Sequence, residues 1–206
     1  MRQGARLGNK YVLAARLGVG SAGTVWSAEN ELTGRHVAIK VLHAVRGAVD
    51  EEARERLLRE ARACGRIHHK NVVEIYDVGA ADDGTPFLVM QLLEGETLEQ
   101  RLARVGKLEG GEAGAIAFAV ASGLAAAHDA HVIHRDLKPV NIFLCREPSG
   151  RESLKILDFG VSKLLAAEPS NTVTGNPLGS PAYMAPEQAR ADKTVDARAD
   201  LWALGV

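Results

Sequence analysis

The chain has 206 residues, enough for one large domain or two small ones, and a chain of this size buries about 70 % of the surface its unfolded form exposes. With 46% hydrophobic residues, 25% charged residues and a net charge of -1, it has the composition of an ordinary globular protein and no bulk positive charge to draw it to nucleic acid. Cys64 and Cys145 have neither metal-ligand spacing nor a disulfide framework, no segment reads as a membrane span, and Met1 to Lys10 lacks the apolar run of a signal peptide, so a reduced, cytoplasmic setting is expected.

In chain order, Tyr11 to Arg16 reads as a short strand. It leads into Gly18-Val19-Gly20-Ser21-Ala22-Gly23-Thr24-Val25. Glycines at these three places permit a tight hairpin whose backbone N–H groups can approach phosphate oxygens. A G-x-G-x-x-G run alone also fits a dinucleotide site, but that reading needs a helix after the third glycine. Thr24 to Ala28 reads as a strand instead, Thr33-Gly34 as a turn, and His36 to Leu42 as a further strand carrying Lys40. Alone, Lys40 is equally an outward residue of an alternating strand. Asp50 to His68 is expected to be a helix with Leu57, Ala61, Cys64 and Ile67 or His68 inward. Glu60 shares that inward side, where a carboxylate needs a partner, and Lys40 is the natural one. Asn71 to Val78 and Pro86 to Leu93 read as strands joined by the turn Ala81 to Gly84, with a domain boundary near Gly95.

Leu98 to Arg104 and Gly111 to His131 are expected to be helices. The second has Ile116, Val120 and Leu124 spaced for a buried stripe, and His128 and His131 on it lack a third ligand for a metal. Next comes His134-Arg135-Asp136-Leu137-Lys138-Pro139-Val140-Asn141. Pro139 forces a loop, on which Asp136 can accept a proton from a hydroxyl, Asn141 can give its amide oxygen to a hard cation, and Lys138 can offset phosphoryl charge. Ile142 to Leu144 and Lys155 to Leu157 read as a strand pair delivering Asp158-Phe159-Gly160. Val161 to Ser180 is long and polar, with Thr172, Thr174 and Ser180 as hydroxyl-bearing candidates for phosphorylation, and Ala185-Pro186-Glu187 follows.

Taken together and in this order, the glycine loop, Val37-Ala38-Ile39-Lys40, Glu60, the His134–Asn141 loop, Asp158-Phe159-Gly160 and Ala185-Pro186-Glu187 resemble the eukaryotic-type serine/threonine protein kinase family, in its bacterial style. The resemblance runs over about residues 8–206. It implies an α+β, two-lobed fold with a small, mainly β lobe over 8–94 and a mainly α lobe over 95–206, ATP and Mg2+ as cofactors, and transfer of the γ-phosphoryl to a protein Ser or Thr hydroxyl. Protein substrates, including the chain itself by autophosphorylation, are the implied partners, with no nucleic acid and no membrane segment.

Residue by residue, the resemblance implies Asp136 and Lys138 as catalytic groups and Asn141 and Asp158 as magnesium ligands. Lys40, braced by Glu60, holds the α- and β-phosphates. Leu17, Gly18, Val19, Gly20, Ser21, Ala22, Gly23, Thr24 and Val25 form the covering loop; Ala22 stands at a tip where relatives often have a larger residue. Met90 is the gatekeeper, the backbone of Gln91 and Leu93 meets the adenine edge, and Leu144 packs under adenine with Val25 and Ala38 above. Arg135 is the implied partner for a phosphate on the loop bearing Thr172, Thr174 and Ser180. Lys138 and Gly179 to Tyr183 look like the Ser/Thr branch. Asp200 anchors the catalytic-loop backbone in relatives. The chain ends inside the helix that begins there, which raises two expectations: apolar faces left uncovered at Trp202 and Leu204, and, as the alternative function, an impaired kinase fragment that only binds ATP or protein.

Overall fold

The computed structural model describes residues 1–20, 23–42, 59, 61–147, 149–159, 181–192 and 194–206. They fall into two compact units, the first drawn from Met1–Gly65 and Glu74–Leu93, the second from Arg66–Val73 and the described residues after Leu93.

The first unit is an antiparallel sheet. Its strands are β1 (Arg6–Leu7), β2 (Tyr11–Gly20), β3 (Gly23–Asn30), β4 (Arg35–Leu42), β5 (Ile75–Ala80) and β6 (Pro86–Gln91), in the spatial order β1-β2-β3-β4-β6-β5. Strand β4 is central and buried on both faces from Val37 to Leu42, which explains its nearly unbroken apolar run. The register pairs Trp26 with Ile39 and Ile39 with Val89. Residues opposite one another share a face, so Trp26, Ala28, Val37, Ile39, Val41, Phe87 and Val89 close on Leu7, Tyr11 and Leu13 as the core. The same register pairs Gly18 with Val25, Val25 with Lys40, and Ala38 with Met90. These five positions therefore lie on the other face of the sheet, because a one-residue step reverses side-chain direction. Gly23 is required by packing: a Cβ there would lie 2.4 Å from the Val41 carbonyl oxygen on the neighbouring strand.

The second unit is mainly helical, with a small sheet β7 (Gly95–Thr97), β8 (Ile142–Arg146) and β9 (Glu152–Ile156) in that order. Helix α1 (Leu98–Val105) starts with a capping box, in which Thr97 Oγ1 accepts from Gln100 N at 3.2 Å and Gln100 Oε1 accepts from Thr97 N at 2.8 Å, and ends at Gly106, φ 78°. Arg101 on α1 ion-pairs with Glu96, Glu112 and Glu152, tying β7, α2 and β9 to that helix. Helix α2 (Gly110–Asp129) buries Val120, Gly123, Leu124 and Ala127. Gly123 permits close packing, since a Cβ there would lie 2.7 Å from Ile156 Cδ1 and 3.1 Å from Asn71 O. Helices α3 (Pro186–Ala189) and α4 (Arg198–Gly205) complete the described residues.

Three expectations need correction. The strand expected from Asn71 starts only at Ile75, because Asn71 and Val73 are claimed by the second unit: Ile156 N donates to Asn71 O at 2.8 Å and Val73 N to Ile156 O at 3.0 Å. The helix expected to reach His68 gives way to a turn at Gly65, whose N–H donates to Ala61 O at 2.9 Å, so Ile67 is buried from an irregular segment. Most of that expected helix, 50–58 and Glu60, lies outside the described residues. The first strand runs on past Arg16 to Gly20. Helix α2 is long and apolar enough, by length and composition only, to cross a membrane, and Val120, Gly123, Leu124 and Ala127 on it are buried. Leu201 and Trp202 are exposed and Leu204 is half-buried.

Candidate active site

The loop before β8 carries a connected polar network. Backbone conformations in this unit are costly in places. Arg135 has φ 63° and, further on, Asp158 has φ 56°, both in the left-handed region that non-glycine residues enter rarely. Such conformations persist only where neighbouring groups over-determine them.

For Arg135 the neighbours are explicit. Asp200, in the first turn of α4, is 1% exposed. Its Oδ1 accepts from Arg135 N at 2.8 Å, and its Oδ2 accepts from His134 N at 2.8 Å and meets His128 Nε2 at 2.7 Å. A buried carboxylate is costly without partners, and this one has three. Helix α4 places Asp200 because Asp196 Oδ1 accepts from Arg198 N at 2.9 Å, turning the chain into the helix. His128, weighed in the sequence as half of a metal pair, is thus committed to Asp200. No group of three or more metal-ligating side chains occurs among the described residues.

His134 is fully buried. Its Nε2 lies 2.8 Å from Leu157 O, which can only accept, so Nε2 carries the proton. Its Nδ1 accepts from Asp136 N at 3.2 Å, so the ring is neutral, and it packs on Phe159 with ring centroids 4.8 Å apart. Burial holds its pKa below the ordinary 6.5. The unfolded chain then binds the proton more readily than the folded one, and stability falls as pH drops below that value. Denaturant unfolding at pH 7.5 and at pH 5.5, roughly a unit to either side of the free imidazole value, is expected to give the lower stability at the acid pH. A flat profile would contradict a buried neutral His134.

Asp136 and Lys138 form an ion pair, Oδ2 to Nζ 3.0 Å, with both side chains 19% exposed and therefore open to a reactant. Pro139 opens a short 3₁₀ turn, Pro139–Asn141, ending the extended backbone of Lys138. That turn aims Asn141 back at the loop: its Nδ2 donates to Asp136 O at 2.7 Å. Since a carbonyl only accepts, the amide nitrogen is fixed and the amide oxygen remains as a hard donor for a cation. Asp136, Lys138 and Asn141 are thus brought together on one braced loop.

In the first unit, Lys40 is 5% exposed on central strand β4, beside Val25 on β3, with Ala38 and Met90 paired on the same face. Gln91 N donates to Glu74 O at 2.9 Å, so that N–H is spent inside the unit. Leu17 and Val19 are exposed, and Gly18 has open space where a Cβ would stand. Leu144 is buried on β8. Ser21, Ala22, Glu60, Thr172, Thr174 and Ser180 lie outside the described residues.

Two participants escaped the sequence reading. One is His128 in its role toward Asp200. The other is Gln188, whose Nε2 donates to Arg135 O at 2.8 Å. No local pattern marks either, since their partners lie 72 and 53 residues away in the chain.

Comparison with known proteins bears on the whole of this arrangement. The family model described as "Protein kinase domain" matches residues 11–206. Serine/threonine-protein kinase Pkn1 of Myxococcus xanthus is 43% identical over 204 residues, which is 98% of this chain and 28% of that protein. Serine/threonine-protein kinase PknL of Mycobacterium tuberculosis is 39% identical over 204 residues, 99% of this chain and 49% of that protein. The chain therefore spans less than half the length of these curated relatives. Among solved structures, the Mycobacterium tuberculosis PknI kinase domain superposes with a TM-score of 0.78 at 31% identity, covering 99% of this chain and 74% of that one. With the sequence match extending through both units and the fold shared with a solved kinase domain, the chain belongs to the protein kinase domain family.

Proposed function

We propose that this chain carries the catalytic machinery of a magnesium-dependent serine/threonine protein kinase, moving the γ-phosphoryl of ATP to a Ser or Thr hydroxyl of a protein. The observation that carries the reading is the Asp136–Lys138 ion pair on a loop whose backbone N–H groups are held by buried Asp200. Family membership implies ATP as substrate and, as a rule, a divalent metal.

Asp136 orients the incoming hydroxyl and takes its proton as the hydroxyl oxygen bonds to the γ-phosphorus. The bond from that phosphorus to the β-bridging oxygen breaks, and ADP leaves. Lys138 offsets charge on the transferring group. The donor set fits magnesium: the amide oxygen of Asn141 and the carboxylate of Asp158 are hard oxygen ligands suited to a small cation that keeps several waters. Bound there, the ion supplies charge neutralisation on the phosphate oxygens. Lys40 positions the α- and β-phosphates, with Glu60 as its brace. Gly18, Gly20 and Gly23 let backbone approach the phosphates, and Leu17, Val19, Thr24 and Val25 flank them.

Ala38 and Met90, paired across β4 and β6, offer the adenine ring an apolar surface, and Met90 limits the depth of its pocket. Because Gln91 N already serves Glu74 O, the adenine edge draws its donor from Leu93 N–H and its acceptor from the Gln91 carbonyl. Arg135 receives a phosphate on the segment bearing Thr172, Thr174 and Ser180, and that phosphate can come from the chain itself.

The test is incubation with γ-labelled ATP and a Ser/Thr-rich protein, with magnesium and after chelation. Label enters the protein only with magnesium present. Transfer undiminished by chelation would overturn the roles given to Asn141 and Asp158.

A further inference from the structure

We infer that Gln188 is a positioning residue for phosphoryl transfer, its side-chain amide holding the peptide plane that presents Asp136; the inference rests on the kinase reading above. The peptide in question joins Arg135 to Asp136. Its N–H, on Asp136, donates to His134 Nδ1 at 3.2 Å. Its carbonyl, on Arg135, accepts from Gln188 Nε2 at 2.8 Å. One peptide earlier, Arg135 N is taken by Asp200 Oδ1 at 2.8 Å.

Arg135 occupies φ 63°, a conformation that needs outside restraint. Asp200 and His134 both act on N–H groups. Gln188 acts on the carbonyl, and it comes from a separate element, helix α3, which follows the segment bearing Ser180. A rotation of this peptide would redirect the Cα–Cβ bond of Asp136, and with it the carboxylate that meets the hydroxyl.

Gln188 also has a plainer task. Its Oε1 accepts from Ala185 N at 3.2 Å, the return half of a capping box at the start of α3. Ala185 is fully buried, so its N–H needs that partner. A cap, however, uses only the side-chain oxygen. A glutamate would serve as well there, and its charge suits a helix N-terminus. The nitrogen is surplus to capping, and the nitrogen is what reaches Arg135.

Gln188→Glu separates the two tasks. It keeps an oxygen for Ala185 N and replaces the donor with a second oxygen facing the Arg135 carbonyl. The comparison reads kcat, KM for ATP and hydrogen exchange at the Asp136, Ala189 and Arg190 amides, in wild type and in Gln188→Glu. The positioning role predicts a fall in kcat of about tenfold or more with KM for ATP changed by less than about twofold, because the loss falls on orientation and not on nucleotide binding. It also predicts faster exchange at the Asp136 amide, with Ala189 and Arg190 still protected.

Wild-type kcat together with wild-type protection at Asp136 would make Gln188 a helix cap and nothing more. A rate loss accompanied by lost protection at Ala189 and Arg190 would also overturn the proposal, because the turn itself would then have come apart. If wild type transfers no phosphate at all, the kinase reading fails on its own terms. Exchange at the Asp136 amide in the variant still decides whether Gln188 holds that peptide.

Discussion

Asp136→Asn is expected to lower turnover by on the order of a hundred- to ten-thousandfold, the usual contribution of a positioned general base. The substitution keeps the size of the side chain. It leaves the backbone carbonyl of residue 136 free to accept from Asn141 Nδ2 as before, at 2.7 Å in the wild type. What it removes is the proton acceptor and the ion pair with Lys138 Nζ at 3.0 Å. Asp136 is assigned to the incoming hydroxyl and Lys138 to the charge on the group in transfer, not to holding the bound nucleotide, so ATP affinity measured by titration is expected to stay close to wild type. A loss of kcat with unchanged ATP binding is the signature of an interaction made in the transition state. A folded Asp136→Asn protein that turns over like wild type would remove Asp136 from the mechanism.

Asp200→Ala is expected to cost about 3–5 kcal/mol of stability, the range seen when one partner of a buried charged network is deleted. The reason is the number of donors it strands. His134 N, Arg135 N and His128 Nε2 all point at its carboxylate, and the site is buried. Each stranded donor carries a desolvation penalty of about 1–3 kcal/mol, and the three are not additive because they share one acceptor. Against a typical total stability of about 5–15 kcal/mol this is a large fraction. Denaturant unfolding of the variant checks it. A loss below about 1 kcal/mol would mean that solvent or a rearranged loop replaces the carboxylate at little cost. Arg135 also loses the contact that stabilises its φ of 63°, so Asp200→Ala is expected to reduce turnover as well.

The residues proposed to do the chemistry were legible in the sequence because the loop is local. Asp136, Lys138 and Asn141 lie within six consecutive positions, and Pro139 among them specifies a turn whichever way the rest folds. The central strand was legible for a similar reason: Val37 to Leu42 is apolar on both faces except at Lys40, and the structure buries all of it. What the sequence concealed was set by distant partners. Asn71 to Val73 have good strand character, yet Ile156 captures their backbone, and a pairing across so many residues leaves no trace in local periodicity. The helix expected to reach His68 gives way at Gly65 to an irregular segment that buries Ile67 just as well. His128 is a similar case. On an apolar helix it could be a core residue or a ligand, and only the arrival of Asp200 from α4 gives it a role.

The measurement that bears most directly on the central claim is the identity of the phosphorylated residue. The chain is incubated with γ-labelled ATP, magnesium and a protein rich in Ser, Thr and Tyr, and the product is hydrolysed for phosphoamino-acid analysis. Label on phosphoserine and phosphothreonine is the predicted result. Label confined to phosphotyrosine, or no label from a folded chain that binds magnesium ATP, would contradict it, and the second outcome would leave a nucleotide-binding module in place of a serine/threonine kinase.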